Sequence, residues 1–184
     1  MKHLEYVQKT KDLIDALKTI CANYGLANTG HEYRVITEVF LYKFLNDKFF
    51  YEARKANKEL KDSKNIEQDL QAMSDKDYEY MLEKIGQRAA KFKKNHFISH
   101  LHNNQNKEDF ATIFDDTLID IADLNIKLFS VSTIDGEKIR LFGKISQYII
   151  ETKEKTPFCR VIINKLVGFS FEPVFEEKYD FFSS

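Results

Sequence analysis

Apolar residues recur three or four positions apart along most of the chain, which is the spacing of one face of an α-helix. Near the N-terminus, Ile14, Leu17 and Cys21 follow this spacing and predict a helix over residues 3–24. Gly25 comes directly afterwards, and a glycine in this place can adopt the left-handed conformation that ends a helix.

The second predicted helix is apolar around most of its circumference. It should begin near Gly30, because Thr29 and Glu32 have the spacing of a capping box. Its apolar side chains point in almost every direction around the axis: Val35, Ile36, Val39, Phe40, Leu41, Tyr42, Phe44 and Leu45. A helix with this pattern is expected to be buried on most sides, so we place it at the centre of the fold.

Weaker patterns predict shorter elements in the middle of the chain. Residues 57–73 show no clear apolar face and predict a surface excursion with some helix. Ser74 suits the N-cap of a short helix, and residues 84–107 predict a short helix or turn that leads into an exposed loop. A further helix is expected over residues 108–124. Four aspartates should lie largely on its solvated side: Asp115, Asp116, Asp120 and Asp123.

One segment departs from the helical pattern. Residues 128–142 are β-branched and aromatic around Asp135-Gly136, a dipeptide that favours a tight turn between two strands. Helices are expected again over residues 144–154 and from a new start at Pro157, since proline is tolerated in the first turn. The predicted fold class is therefore mainly α, a helical bundle with one small two-stranded β-hairpin near 128–142.

The composition suits one folded cytoplasmic domain over residues 1–184. Apolar residues make up 43%, enough for a core, and the few glycines (6) and prolines (2) disfavour a turn-rich sheet protein. No stretch approaches the roughly 18 apolar residues that a membrane span needs, so no membrane contact is expected. Cys21 and Cys159 are interpreted as reduced core residues, although the sequence alone leaves a disulfide between them open.

The basic segment 84–107 is the candidate DNA contact. It contains no Asp or Glu, and the net charge of the whole chain is -1, so any electrostatic contact with DNA must be local. Lysine and arginine bind phosphates and release counterions. The candidate DNA-binding residues are Arg88, Lys91, Lys93 and Lys94. The alternative is a solvated surface whose charge is balanced by the acidic helix that follows.

No catalytic, cofactor-binding or metal-binding residue is assigned in this chain. Its six glycines nowhere form G-x-G, so a dinucleotide loop and a P-loop are absent, and its two isolated prolines exclude the Asn/Asp-Pro-Pro-aromatic loop of amino methyltransferases. His96, His100 and His102 could hold zinc, and the aspartates of residues 108–124 could suggest a metal-dependent hydrolase. Polar loop histidines and a solvated acidic face are the preferred interpretations, and a stand-alone metal hydrolase is the least favoured alternative.

A string in the second helix is similar to a helix of type I restriction-modification DNA methyltransferase subunits. It consists of Tyr33-Arg34 followed by TEVFLYKFLNDKF over residues 37–49. Residues 162–182 also resemble the approach to the catalytic domain of that family. The resemblance covers about residues 30–182, and most matching positions are apolar.

The resemblance implies the helical N-terminal domain of the methyltransferase (M) subunit. In that family the domain precedes one that binds S-adenosyl-L-methionine and methylates adenine N6, so residues 170–184 would begin the linker to a catalytic domain absent from this chain. The implied partners are DNA, a specificity subunit, a second M subunit and the catalytic domain itself. The implied role is to clamp DNA and assemble the enzyme, with this chain inactive alone. The alternative is a helical protein-interaction module without DNA contact, whose sign would be the aromatic C-terminal segment.

Overall fold

The computed structural model describes residues 2–129, 131–132, 138–139 and 141–176. These residues form a mainly helical fold, which confirms the predicted class at that level. The α-helices are α1 (Lys2–Asn23), α2 (Gly30–Ala56), α3 (Ile66–Ala72), α4 (Asp75–Ile85), α5 (Ile98–Asn103), α6 (Phe110–Leu124), α7 (Ile126–Phe129) and α8 (Thr152–Leu166). Short 3-10 helices cover Lys58–Leu60, Gly86–Arg88, Lys94–His96 and Ile145–Tyr148. Within the described ranges, no helix is both long and apolar enough to cross a membrane.

The turn between α1 and α2 follows the local chemistry of the sequence. Gly25 adopts a φ of +83°, a left-handed conformation that ends the path of α1. Thr29 caps α2, because its hydroxyl accepts the Glu32 backbone N–H at 3.2 Å. The Glu32 carboxylate reaches back and accepts the Asn28 N–H at 2.6 Å. The predicted start of α2 is therefore confirmed.

Helix α2 is the centre of an aromatic core. The rings of Tyr42 and Phe49 are fully buried, with Phe114 lying 6.2 Å from Tyr42 and Phe97 lying 5.8 Å from Phe49. The Tyr42 hydroxyl is also buried, and it donates to the backbone carbonyl of His96. Buried aromatic side chains contribute large apolar areas, and a buried phenol needs an acceptor. The predicted central position of α2 is confirmed.

Two predicted elements of the second half are wrong. Residues 144–154 are not one helix: Ile145–Tyr148 forms a 3-10 turn, and α8 begins later, at Thr152. Pro157 does not start a helix but lies inside α8, near its N-terminal end. Pro157 is the sixth residue of α8, beyond the first turn, so the helix loses one backbone hydrogen bond to the Lys153 carbonyl there. Burial of the apolar face of α8 offsets this cost, and the helix continues through the proline.

The basic segment contains short helices and leads into exposed residues 106–109, as predicted, but much of it is buried. Its apolar residues enter the core, with Ala90, Phe92 and Leu101 buried, while Lys91 and Lys93 on either side of Phe92 are exposed. The backbone around Phe92 is non-helical, and neighbouring side chains of such a segment point to opposite sides. The segment is rich in charged residues, but its apolar residues are part of the core, which the composition did not indicate.

The structure describes only part of the predicted hairpin. Val131 pairs with Ile139 and Ser132 with Lys138 in antiparallel register. Residues 128 and 129 belong to α7, and the Asp135-Gly136 turn lies outside the described residues. A hairpin over the whole range 128–142 is therefore not shown.

Both cysteines are buried, which confirms the interpretation of Cys21 and Cys159 as core residues, and their thiols are free in this structure. Burial raises the pKa of Cys21 to about 11, so this thiol stays protonated at neutral pH.

Candidate functional site: the basic segment and an apolar groove

Arg88 is engaged by the end of its own helix. Its guanidinium donates to the Lys84 carbonyl at 2.5 Å and to the Ile85 carbonyl at 3.2 Å, where α4 leaves acceptors unsatisfied. Arg88 Nε also lies 3.7 Å from the buried Glu52 carboxylate. This side chain closes α4, and a phosphate would have to compete with these acceptors.

Lys93 and Lys94 also have partners within the fold. Lys93 Nζ lies 3.1 Å from Asp120 Oδ2 on α6. Lys94 Nζ donates to the Gln71 carbonyl at 3.2 Å and to the carbonyl of Met73, at the end of α3. Three of the four candidate DNA-binding side chains therefore connect elements of the fold.

Lys91 differs from the other three. Its backbone is fixed by Asn125, whose side chain accepts the Lys91 N–H at 2.7 Å and donates to the Lys91 carbonyl at 2.9 Å. Its side chain is exposed, and its ammonium has no ion-pair partner among the described residues. A phosphate contact through Lys91 would therefore break no contact of the described fold.

His96 is a structural residue, which corrects its assignment to a polar loop. Its ring is buried, its Nδ1 accepts the Lys93 backbone N–H at 3.0 Å, and its Nε2 lies 2.5 Å from Asp120 Oδ2. These bonds fix the neutral tautomer with the proton on Nε2. Burial lowers the pKa of His96 despite the nearby carboxylate. Both ring nitrogens are occupied, so neither is available to a metal or a substrate.

The acidic helix α6 is not uniformly solvated. Asp116 and Asp123 are exposed, but Asp115 is buried and accepts both the Ser146 backbone N–H, at 3.1 Å, and the Ser146 hydroxyl. Burial raises the pKa of Asp115, although the Ser146 hydrogen bonds oppose this. Asp115 thus anchors the 3-10 turn that precedes α8.

Glu38 and Asp120 are further carboxylates whose pKa values are shifted. Glu38 accepts the Gly143 N–H at 3.2 Å, and burial raises its pKa. For Asp120, burial acts to raise the pKa, but the bonds from His96 and Lys93 outweigh it and lower that pKa. In the part of the chain that the structure describes, no three His, Cys, Asp or Glu side chains are grouped as metal ligands would be.

An apolar groove of about 650 Å³ lies between α1 and the N-terminal half of α2. Its polar rim consists of Lys18, Thr29, Glu32 and Thr37, and its apolar lining is Ile14, Tyr33, Ile36, Phe40, Leu41 and Phe44. Tyr33 is 76% exposed. Helix α2 is buried on most sides, as expected, but on this face its apolar side chains are only partly buried. A groove lined by such side chains is typical of an interaction site.

The C-terminal segment covers the adjoining part of the same face. The Phe171 ring lies 5.0 Å from Phe40 and 5.6 Å from Phe44, and the Phe175 ring lies 5.2 Å from Phe44. The Phe171 backbone N–H donates to the buried Asp47 carboxylate at 2.8 Å. Tyr179, Phe181 and Phe182 also belong to the aromatic C-terminal segment, but they lie outside the described residues.

The groove was not named from the sequence, although its signal is present there. Apolar residues on every side of a helix show that something covers each side, but not whether that cover belongs to the same chain. This chain matches no protein-family model, no curated protein and no solved structure.

Proposed function

We propose that this chain is the non-catalytic helical N-terminal domain of a type I restriction-modification adenine-N6 DNA methyltransferase subunit, and that it serves to assemble the enzyme. Its partners would be the specificity subunit, a second M subunit and the catalytic domain that binds S-adenosyl-L-methionine. Methyl transfer would take place in that domain, with no residue of this chain taking part.

The observation that carries this proposal is the position of the family-like string. Residues 37–49 lie on α2, and four of them line the apolar groove: Thr37, Phe40, Leu41 and Phe44. Much of the string serves the core, as Tyr42 and Phe49 do. The groove residues instead present apolar surface that the described chain leaves accessible, as expected of a domain that docks polypeptide.

The test uses the full methyltransferase subunit with its specificity subunit. Tyr33→Glu combined with Thr37→Glu places two charges in the groove at exposed positions, so the fold should persist. We expect loss of the assembled complex in size-exclusion chromatography with light scattering, and loss of adenine methylation on a plasmid. The matched control is Lys76→Glu with Tyr80→Glu, an exposed pair with the same spacing on α4, which should assemble normally.

Two results would overturn the proposal. One is adenine methylation, or binding of S-adenosyl-L-methionine, by the 184-residue chain alone. The other is normal assembly and methylation by the groove variant, since charges in a docked apolar interface should be strongly unfavourable.

DNA contact is the second candidate function, and Lys91 favours it. Its backbone is fixed while its exposed ammonium has no described ion-pair partner, so it could bind a phosphate at no cost to the fold. In the assembled enzyme, Lys91→Glu should weaken DNA binding and lower the slope of log K against log salt by about 0.9 for one lost phosphate contact. Lys153→Glu on α8 is the control, and an unchanged slope for Lys91→Glu would remove the basic segment from the interface.

A further inference from the structure

We infer that the groove between α1 and α2 receives an amphipathic helix from a partner protein, with a carboxylate of that helix against Lys18. This inference deepens the proposed assembly function and rests on it for its biological purpose. Its chemistry, however, follows from the groove and can be tested on this chain alone.

The shape of the groove suits a helix of a few turns. From Tyr33 to Phe44 its α2 wall extends about 16 Å along the helix axis, and Ile14 and Lys18 of α1 form the opposite wall. Grooves of this kind accept large side chains at helical spacing from an apolar helix face.

The same face of α2 already carries an occupant of this kind. Residues 172–176 are helical, and Phe171 and Phe175, four positions apart, lie against Phe40 and Phe44, which are also four apart. Phe175 also lies 5.5 Å from Tyr51, so this segment runs towards the C-terminal end of α2 and away from the groove. A partner helix would continue the covering of α2 in the other direction.

Lys18, on the α1 side of the groove, indicates which charge a partner helix would place there. Lys18 is exposed and has no ion-pair or hydrogen-bond partner within the described ranges. Glu32, in contrast, is used by the cap of α2, where it accepts the Asn28 N–H at 2.6 Å. Glu32 keeps its negative charge in this bond but belongs to the α2 side of the groove, so the unpaired cation on the α1 side favours an acidic residue of the partner next to Lys18.

The test titrates the isotope-labelled chain with a helix-forming peptide of about 16 residues, long enough to span the groove. The peptide carries leucines at i, i+4 and i+7 and one glutamate beside that face, and a scrambled peptide is its control. We expect amide shifts in residues 14–18 and 33–44 with the designed peptide only. Lys18→Glu should weaken binding about two- to fivefold, and changing the peptide glutamate to lysine should restore it.

Substitutions in this chain distinguish docking in the groove from nonspecific hydrophobic binding of the peptide. Thr37→Glu should weaken binding by at least about tenfold, because it places a charge against an apolar ligand face, while Tyr80→Glu on α4 should not change it. Equal binding of the scrambled peptide, shifts centred elsewhere, or failure of the charge exchange to restore affinity would overturn the inference. So would self-association of the chain through the groove, seen as sedimentation that depends on Tyr33.

The two proposals fail separately. Peptide binding with normal enzyme assembly by the groove variant would leave the docking inference in place and remove the assembly function. Loss of assembly in the groove variant, without specific peptide binding to the chain, would leave the assembly function in place and remove the docking inference.

Discussion

Replacing Asp47 by leucine should destabilise the fold by about 3–5 kcal/mol, because a buried cation would lose its partner. Lys43 Nζ lies 3.2 Å from Asp47 Oδ1, and the two side chains are only 7% and 4% exposed. The same carboxylate accepts the Asn46 amide at 3.0 Å and the Phe171 N–H at 2.8 Å. The substitution therefore removes the anchor of the C-terminal segment as well as the ion pair.

The size of the charge effect can be separated from the anchor by a second substitution. Lys43→Met alone leaves the buried carboxylate without its cation and should also cost about 3–5 kcal/mol. The double variant Lys43→Met/Asp47→Leu contains neither charge. Its main losses are the Phe171 N–H and the Asn46 amide, which are each left without their Asp47 acceptor at about 1–3 kcal/mol. Asp47→Leu alone has the same losses and also leaves a buried cation unpaired, so the double variant should be more stable than Asp47→Leu.

The assay is urea unfolding followed by far-UV circular dichroism, with stability compared at constant m-value. The control is the ion pair of Glu5 and Lys9 on α1, in which Lys9 Nζ lies 3.2 Å from Glu5 Oε1. These two side chains are 66% and 63% exposed. Glu5→Leu and Lys9→Met should each change stability by no more than about 0.5 kcal/mol. A cost below about 1 kcal/mol for Asp47→Leu, or a double variant less stable than Asp47→Leu, would refute the reasoning.

Three further predictions concern single side chains. Burial lowers the pKa of His96 from its ordinary 6.5, so the stability that the neutral ring contributes is complete above that pH and is lost as the pH falls below it. Between about pH 7.5 and 5.5, the urea midpoint of His96→Gln should therefore fall less steeply than that of the wild type. Equal slopes would contradict this. Ser146→Ala should cost about 1.5–3 kcal/mol in thermal unfolding, because the buried Asp115 loses a hydroxyl donor, whereas Ser146→Thr should retain most of the stability. Thr29→Ala should cost about 1 kcal/mol by removing the cap of α2 and Thr29→Ser should restore it, so equal stability of the two variants would exclude the cap.

The sequence predicted the elements whose boundaries depend on near neighbours. Thr29 bonds to a residue three positions away, and so does Ser74, whose hydroxyl accepts the Asp77 N–H at 3.2 Å. Gly25 ends α1 through its own backbone conformation. Prediction failed at Pro157, because the general preference of proline for the first turn does not reveal where a given helix begins.

The candidate site could be predicted only as a list of charges. Lys93 and Asp120 are 27 positions apart, and Asp115 and Ser146 are 31 apart, so their pairing depends on how α6 packs against other segments. Composition identified the basic segment, but it could not show which of its cations already have acceptors in the fold. It also could not show that His96 is buried between two partners.

Helical spacing and helix caps act over three or four residues, so the amino-acid sequence was enough to predict a helical chain with an aromatic interior. Tertiary packing determined which charges are buried, and it left one side of α2 open beside α1 among the residues that the structure describes. The spacing of apolar residues predicts which faces of a helix must be covered, because exposed apolar surface is unfavourable in water. Only the packing of segments distant in sequence determines which of those faces the chain covers with its own residues.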